Sequence, residues 1–136
     1  MDIERIHKAL TGGETARVEF KSCRDKISNS VYDTVCSFSN HSGGLIILGF
    51  DDDMNLIGVN KNASVNLKKN VINTLGNKEV FFPKLTIEPE IEEYDGKTII
   101  VIDVPVSQYP VRYKNKYFDR VGDADMDITD NMELVL

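Results

Sequence analysis

The chain has 136 residues and 41% hydrophobic residues, enough for one domain with a real core. Its longest apolar runs, Leu45 to Phe50 and Ile99 to Ile102, fall well short of the ~20 residues that cross a bilayer. The net charge of -6 excludes a uniformly basic nucleic-acid binder, because phosphate binding draws on clustered Lys and Arg.

The first predicted element is a helix over residues 3–10, with Ile3, Ile6, His7 and Leu10 on one stripe, stopping at Gly12 and Gly13. Ala16 to Ser22 alternates as a half-buried strand, with Val18 and Phe20 inward and Arg17, Glu19 and Lys21 outward. A basic loop, Cys23 to Lys26, leads to a second helix through Ile27, Val31, Val35 and Phe38, with Ser30 and Asp33 spaced as a capping box. Asn40 to Gly44 closes it, and Leu45 to Phe50 is apolar on both faces, which predicts a central strand. Leu56 to Val59 is predicted as a returning strand after a polar turn.

Ser64 is the expected N-cap of a third helix ending at Leu75, with Val65, Lys68, Val71, Ile72 and Leu75 as its stripe and Gly76 at C′. Leu85 to Ile91 alternates around Pro89, which suggests an edge strand. Asp95-Gly96 is a hairpin turn into a buried strand, Thr98 to Val104. Val111 to Tyr113 and Tyr117 to Val121 form a short hairpin. Residues 124–136 read as an acidic, mobile tail. The order gives α+β: a mixed β-sheet with about three helices, mainly on one face.

Four carboxylates invite attention. Glu14 and Glu19 lie five apart, and Asp51 and Asp52 follow the central strand. If the two strands are neighbours, Glu14, Glu19 and one Asp converge. Three such charges repel unless Mg²⁺ or Mn²⁺ neutralises them, and a metal there activates water. The bland alternative pairs Glu19 with Lys21 or Arg17 and leaves Asp51 to Asp53 as a solvated turn. Gly43-Gly44 opens a strand rather than a helix and no Lys-Ser/Thr follows, so no ATP site is expected. Asn40 reads as a helix C-cap, His41 as a loop residue and His7 as structural.

Charge is unevenly spread. Residues 1–70 carry nine acids and nine bases, and residues 71–136 carry thirteen acids and seven bases. A local basic patch is compatible with that pattern. The nominated nucleic-acid contacts are Arg17, Lys21, Arg24, Lys26 and Arg120, the last beside Tyr113, Tyr117 and Phe118, which suit base stacking. Cys23 and Cys36 lack metal spacing and read as reduced thiols. The first residues, Met1 to Arg5, show no signal-peptide pattern, so a cytoplasmic protein is expected, with no membrane partner.

Taken as an ordered set, these motifs resemble the Schlafen AlbA-like domain. The set is Glu14, Glu19-Phe20-Lys21, Phe38-Ser39-Asn40, Gly43-Gly44, Gly49-Phe50-Asp51-Asp52, Ile57-Gly58 and Tyr117-Phe118-Asp119-Arg120-Val121-Gly122. The resemblance is strongest over residues 12–123 of a single domain. It implies a module that binds DNA or RNA without a cofactor, as the N-terminal part of a bacterial transcription regulator or helicase-related protein. It also implies an alternative, an endoribonuclease using Mg or Mn on Glu14, Glu19 and Asp51, with Asp52 competing for the third place. RNA-cleaving members clamp RNA with two such lobes, so that alternative calls for a homodimer. The acidic charge favours a third reading, a protein-interaction or oligomerisation domain.

Overall fold

A strand that is apolar on both faces needs cover on both sides, and two such strands set this architecture. The computed structural model describes residues 3–135. In it the two strands are β2 (Gly44–Leu48) and β5 (Lys97–Val104), paired antiparallel at the centre of a four-stranded sheet. The order is β1-β2-β5-β4, with β1 at Val18–Lys21 and β4 at Glu90–Tyr94. β1 runs parallel to β2, so the sheet is mixed and the fold is α+β. Residues 1, 2 and 136, and the side chains of Ile3 and Glu133 assigned above to the helical stripe and the acidic tail, lie outside the described residues.

Alternation along β2 and β5 sorts the core into two layers. Ile46, Leu48, Ile100 and Ile102 pack against α2 (Asn29–Ser39) and α3 (Ser64–Leu75). Leu45, Ile47, Ile99 and Val101 face the other way, with Phe20 and with Ile6 of α1 (Ile3–Gly12). A second sheet has the order β3-β6-β7-β8, formed by β3 (Phe81–Phe82), β6 (Arg112–Tyr113), β7 (Lys116–Val121) and β8 (Ala124–Asp127). It covers the far side of α2, where Tyr32, Phe81 and Tyr113 form a ring cluster. Helix α2 is therefore enclosed by two sheets, and Thr34, Ser37 and Ser39 are buried with its apolar residues.

Several local expectations are corrected. Leu56 to Val59 forms no strand: Leu56 makes one bridge to Phe50, and Met54 and Gly58 sit at φ 65° and 80°, which break the extended run. Ser30 does not cap α2. Ser28 holds the N-cap position, and its hydroxyl meets that of Ser30 rather than a backbone N–H. Asn60 caps a 3-10 turn, Lys61–Ala63, that runs into α3, so Ser64 is already helical. The buried stripe of α3 is Ser64, Leu67, Val71 and Leu75, while Val65 and Ile72 are exposed. Gly76 ends α3 at φ -84°, not left-handed.

The strand expected from Leu85 starts only at Glu90, though it is at an edge as expected. The hairpin turn holds, with Asp95 and Gly96 at φ 47° and 77° between paired strands. The acidic C-terminal segment carries two elements, β8 and α4 (Thr129–Val135), where an irregular tail was expected. Among the described residues no helix is long and apolar enough to cross a membrane.

Candidate functional site

Glu19 is the acid whose surroundings differ most from expectation. It pairs in register with Ile46, so its side chain points to the α2 side of the sheet and is 7% exposed. There it meets Arg120 of β7, whose side chain has no exposed surface. Arg120 lies over the Phe38 ring, 4.8 Å from its centroid. Its Nη1 donates to Asp125 Oδ1 at 2.9 Å, its Nη2 to the Thr15 carbonyl at 3.0 Å and its Nε to the Ala16 carbonyl at 3.2 Å. Nη2 also lies 3.7 Å from Glu19 Oε2, and Lys21 Nζ lies 3.4 Å from Glu19 Oε1. Thr34 and Ser37 of α2 both donate hydroxyl protons to Asp125. One buried cation thus holds β1, α2, β7 and β8 together. Arg120 was nominated as a nucleic-acid contact, and its burial removes it from that role.

The four nominated carboxylates do not gather. Glu14 does not run on from β1, because a tight turn closed by the Thr15 N–H on the Val18 carbonyl reverses the chain there, and Asp51 follows β2 in a turn of its own. Asp51 has its own local work. Its Oδ1 accepts the backbone N–H of Asn55 at 2.8 Å and of Asp53 at 3.0 Å, and its Oδ2 accepts Asn55 Nδ2. Those bonds, the Asn55 backbone first, hold its pKa below the ordinary carboxylate range. Asp52 is exposed in the same turn. Among the described residues no group of three or more His, Cys, Asp or Glu side chains is placed to hold a metal. Glu19 Oε2 is buried without a hydrogen bond, but the guanidinium beside it already supplies the positive charge. The donor set does not fit a divalent cation.

The other basic residues separate into two groups. Arg17 is exposed near the start of β1 and donates from Nη2 to the Ser42 carbonyl. Arg24 lies against the Ile57 and Gly58 carbonyls. Lys21 and Lys26 belong with two lysines that the sequence did not single out, Lys114 and Lys116, around the start of α2. Lys114 and Lys116 line a cleft with Asn29 and Asp33, and Lys26 lines the next cleft, which shares Asn29. Burial, and then Asp125, raise the Asp33 pKa, and Lys21, Lys116 and Lys114 all act against that rise. Lys114 and Lys116 flank Asn115 in a turn whose Lys114 and Asn115 have φ of 49° and 66°. A turn signal was visible there, but not the helix it folds against.

Comparison with known proteins bears on the whole arrangement. The Schlafen AlbA_2 family model matches residues 14–129. The chain belongs to the Schlafen AlbA_2 family. The N-terminal domain of a RecG-related protein from Nitrosomonas europaea is similar in structure, with a TM-score of 0.64 at 24% identity over 90% of both chains. So is the DIP2311 protein from Corynebacterium diphtheriae, with a TM-score of 0.65 at 15% identity over 92% of this chain and 29% of that longer one. No curated protein matches the chain.

In this Schlafen AlbA_2 domain, the motif residues mostly serve architecture. Asn40 ends α2, and its Nδ2 donates to the Val111 and Phe118 carbonyls while its Oδ1 accepts the Val111 N–H. A Cβ at Gly43 would lie 2.7 Å from the Val104 carbonyl oxygen, and one at Gly44 2.5 Å from the Phe38 ring. Neither position tolerates a side chain, which agrees with a backbone role for the pair. His41 Nδ1 pairs with Asp119 at 3.1 Å and His7 Nδ1 with the Tyr94 hydroxyl at 3.1 Å. Tyr113 is buried in the ring cluster, so it is not free to stack on bases.

Proposed function

We propose that this domain is a nucleic-acid-binding module and that Lys21, Lys26, Lys114 and Lys116 hold the phosphate backbone. The observation that carries this reading is the gathering of these four lysines around the start of α2 in a chain of net charge -6. The first turn of α2 adds the positive end of the helix dipole. Family membership supports the reading, and so does the neighbour's name, which ties that protein to DNA helicases. The domain would act as the recognition part of a regulator or helicase-related protein. Metal-dependent cleavage is left out of this reading, because among the described residues no three carboxylates are grouped to hold a metal.

The test is a fluorescence-anisotropy titration against single-stranded DNA, duplex DNA and a structured RNA from about 50 to about 200 mM salt. Four phosphate contacts give a log–log salt slope of about -3 to -4. Lys114→Glu with Lys116→Glu should shallow the slope by about 2 and weaken all sequences alike. Salt-independent binding, or an unchanged slope in the double variant, would move the function to protein interaction.

A further inference from the structure

A larger cleft lies at the other end of β1, between the last turns of α1, the start of β2 and residues 104–106. Its volume is about 530 Å³, within the ~300–1,000 Å³ range of small-ligand sites. Its walls divide by chemistry. Ala9, Val18, Leu45 and Val104 make an apolar floor, and Arg5, Lys8 and Arg17 bring three cations. Asp103 is the one carboxylate among the described lining residues. Arg5 grips it with Nη1 at 2.6 Å and Nη2 at 3.3 Å, so that pair closes on itself. Two positive charges remain over. Arg17 is anchored through one Nη2 bond to the Ser42 carbonyl at 3.0 Å, which fixes the guanidinium at the wall and leaves its other donors for a ligand. At Gly12 and Gly13 an added Cβ would meet no atom within 4 Å, so the rim is open.

We propose that this cleft binds a nucleoside phosphomonoester, with the phosphate against Arg17 and Lys8 and the base on the apolar floor. A phosphomonoester is a dianion near neutral pH, which matches the two remaining charges, and a guanidinium fork suits its oxygens. The volume and the apolar floor exceed what inorganic phosphate needs, and a flat base fills them. The wall residue Val106 is 58% exposed at the mouth. The ligand has two sources, a free nucleotide or the phosphorylated end of a strand. The site shares no residue with the lysine group, so either proposal can fail alone.

The experiment is an amide-shift titration of the domain at low salt with adenosine 5′-monophosphate, adenosine and inorganic phosphate, and with one oligonucleotide with and without a 5′-phosphate. The nucleotide or the phosphorylated oligonucleotide should move the amides of Gly12, Gly13 and Gly44, and bind at least about tenfold more tightly than adenosine, phosphate or the unphosphorylated strand. Response to the free nucleotide identifies that source, and response to the phosphorylated strand alone identifies a strand end. Lys8→Glu should weaken binding about tenfold or more. Gly12→Phe, which keeps every charge and fills the cleft, should abolish it. Absence of a response to both phosphorylated probes, equal binding of adenosine or phosphate, or an unaltered affinity in Lys8→Glu would overturn the proposal.

Discussion

Five groups close on the guanidinium of Arg120: two backbone carbonyls, Asp125, Glu19 and the Phe38 ring. Its removal leaves Asp125 and Glu19 as negative charges in a covered site, and an uncompensated buried charge costs about 3–5 kcal/mol. Arg120→Ala should therefore lower the urea-unfolding free energy by about that much, whereas Glu19→Gln, which leaves the Asp125 pair intact, should cost about 1 kcal/mol. Equal losses would refute this division of roles. The sequence shows Arg120 beside aromatics and Asp125 within an acidic run, and both read as surface groups because residue type does not report cover. That cover comes from the pairing of β7 with β8 and from α2, whose Thr34 meets Asp125 91 residues away in the chain. Two thiols give a second prediction at this scale. Burial pushes Cys36 from 9.0 up to about 12 and Cys23 up to about 11. Between 9.0 and those values the folded protein holds protons that the unfolded chain has lost. Their contribution is intact below 9.0 and falls away as pH rises through that window. Urea midpoints at about pH 8 and about pH 10.5 should differ less in a Cys23→Ala, Cys36→Ala variant than in the parent. An identical drop in both proteins would rule the thiols out.

At the scale of elements, α2 explains what was legible and what was not. Strands β2 and β5 and the Asp95-Gly96 turn were readable because local pattern suffices: apolar runs of strand length, and two residues with positive φ. Helix α2 was readable in its existence but not in its setting. Val31, Val35 and Phe38 announce one buried face, while Thr34, Ser37 and Ser39 look like the solvated one. The second sheet buries that face too, and its hydroxyls are met by Asp125 and by backbone carbonyls. The site failed for a related reason. The first strand and the central strand are neighbours, the condition set for convergence, but the sequence did not show that Glu14 enters a tight turn closed at Thr15 and Val18 or that Asp51 is bound within its own turn. Asn40 shows how the helix is tied to the second sheet, with three bonds from one amide to Val111 and Phe118. Asn40→Leu removes all three partners and strands backbone groups of β7 and of the residue before β6. A cost of about 2–3 kcal/mol in urea unfolding is expected. Asn40→Asp, which keeps the acceptor for Val111 N–H but loses both donors, should also destabilise. A neutral Asn40→Leu would show that water serves those groups equally well.

Over the whole molecule, charge sets the terms on which the lysine group can work. The second half of the sequence holds thirteen of the twenty-two acids, yet it also supplies Lys114 and Lys116 to the patch at α2. The fold thus concentrates positive charge locally while the net charge stays at -6. Which of the two a polyanion experiences depends on screening. At about 0.1 M salt the Debye length is about 10 Å, so a bound strand senses mainly the lysines it touches. At about 0.01 M it reaches about 30 Å, comparable with the domain itself, and the surplus of carboxylates then acts on the same strand. Counterion release keeps favouring binding as salt falls, but repulsion from the acidic remainder grows against it. The log–log salt plot should therefore run straight between about 200 and about 50 mM and flatten towards about 10 mM. Reversing acids outside the lysine group, for example Glu88→Lys with Asp95→Lys, should restore the straight line at low salt without changing the slope above about 50 mM. A parent plot that stays straight down to about 10 mM would mean that the carboxylates lie too far from the bound strand to oppose it.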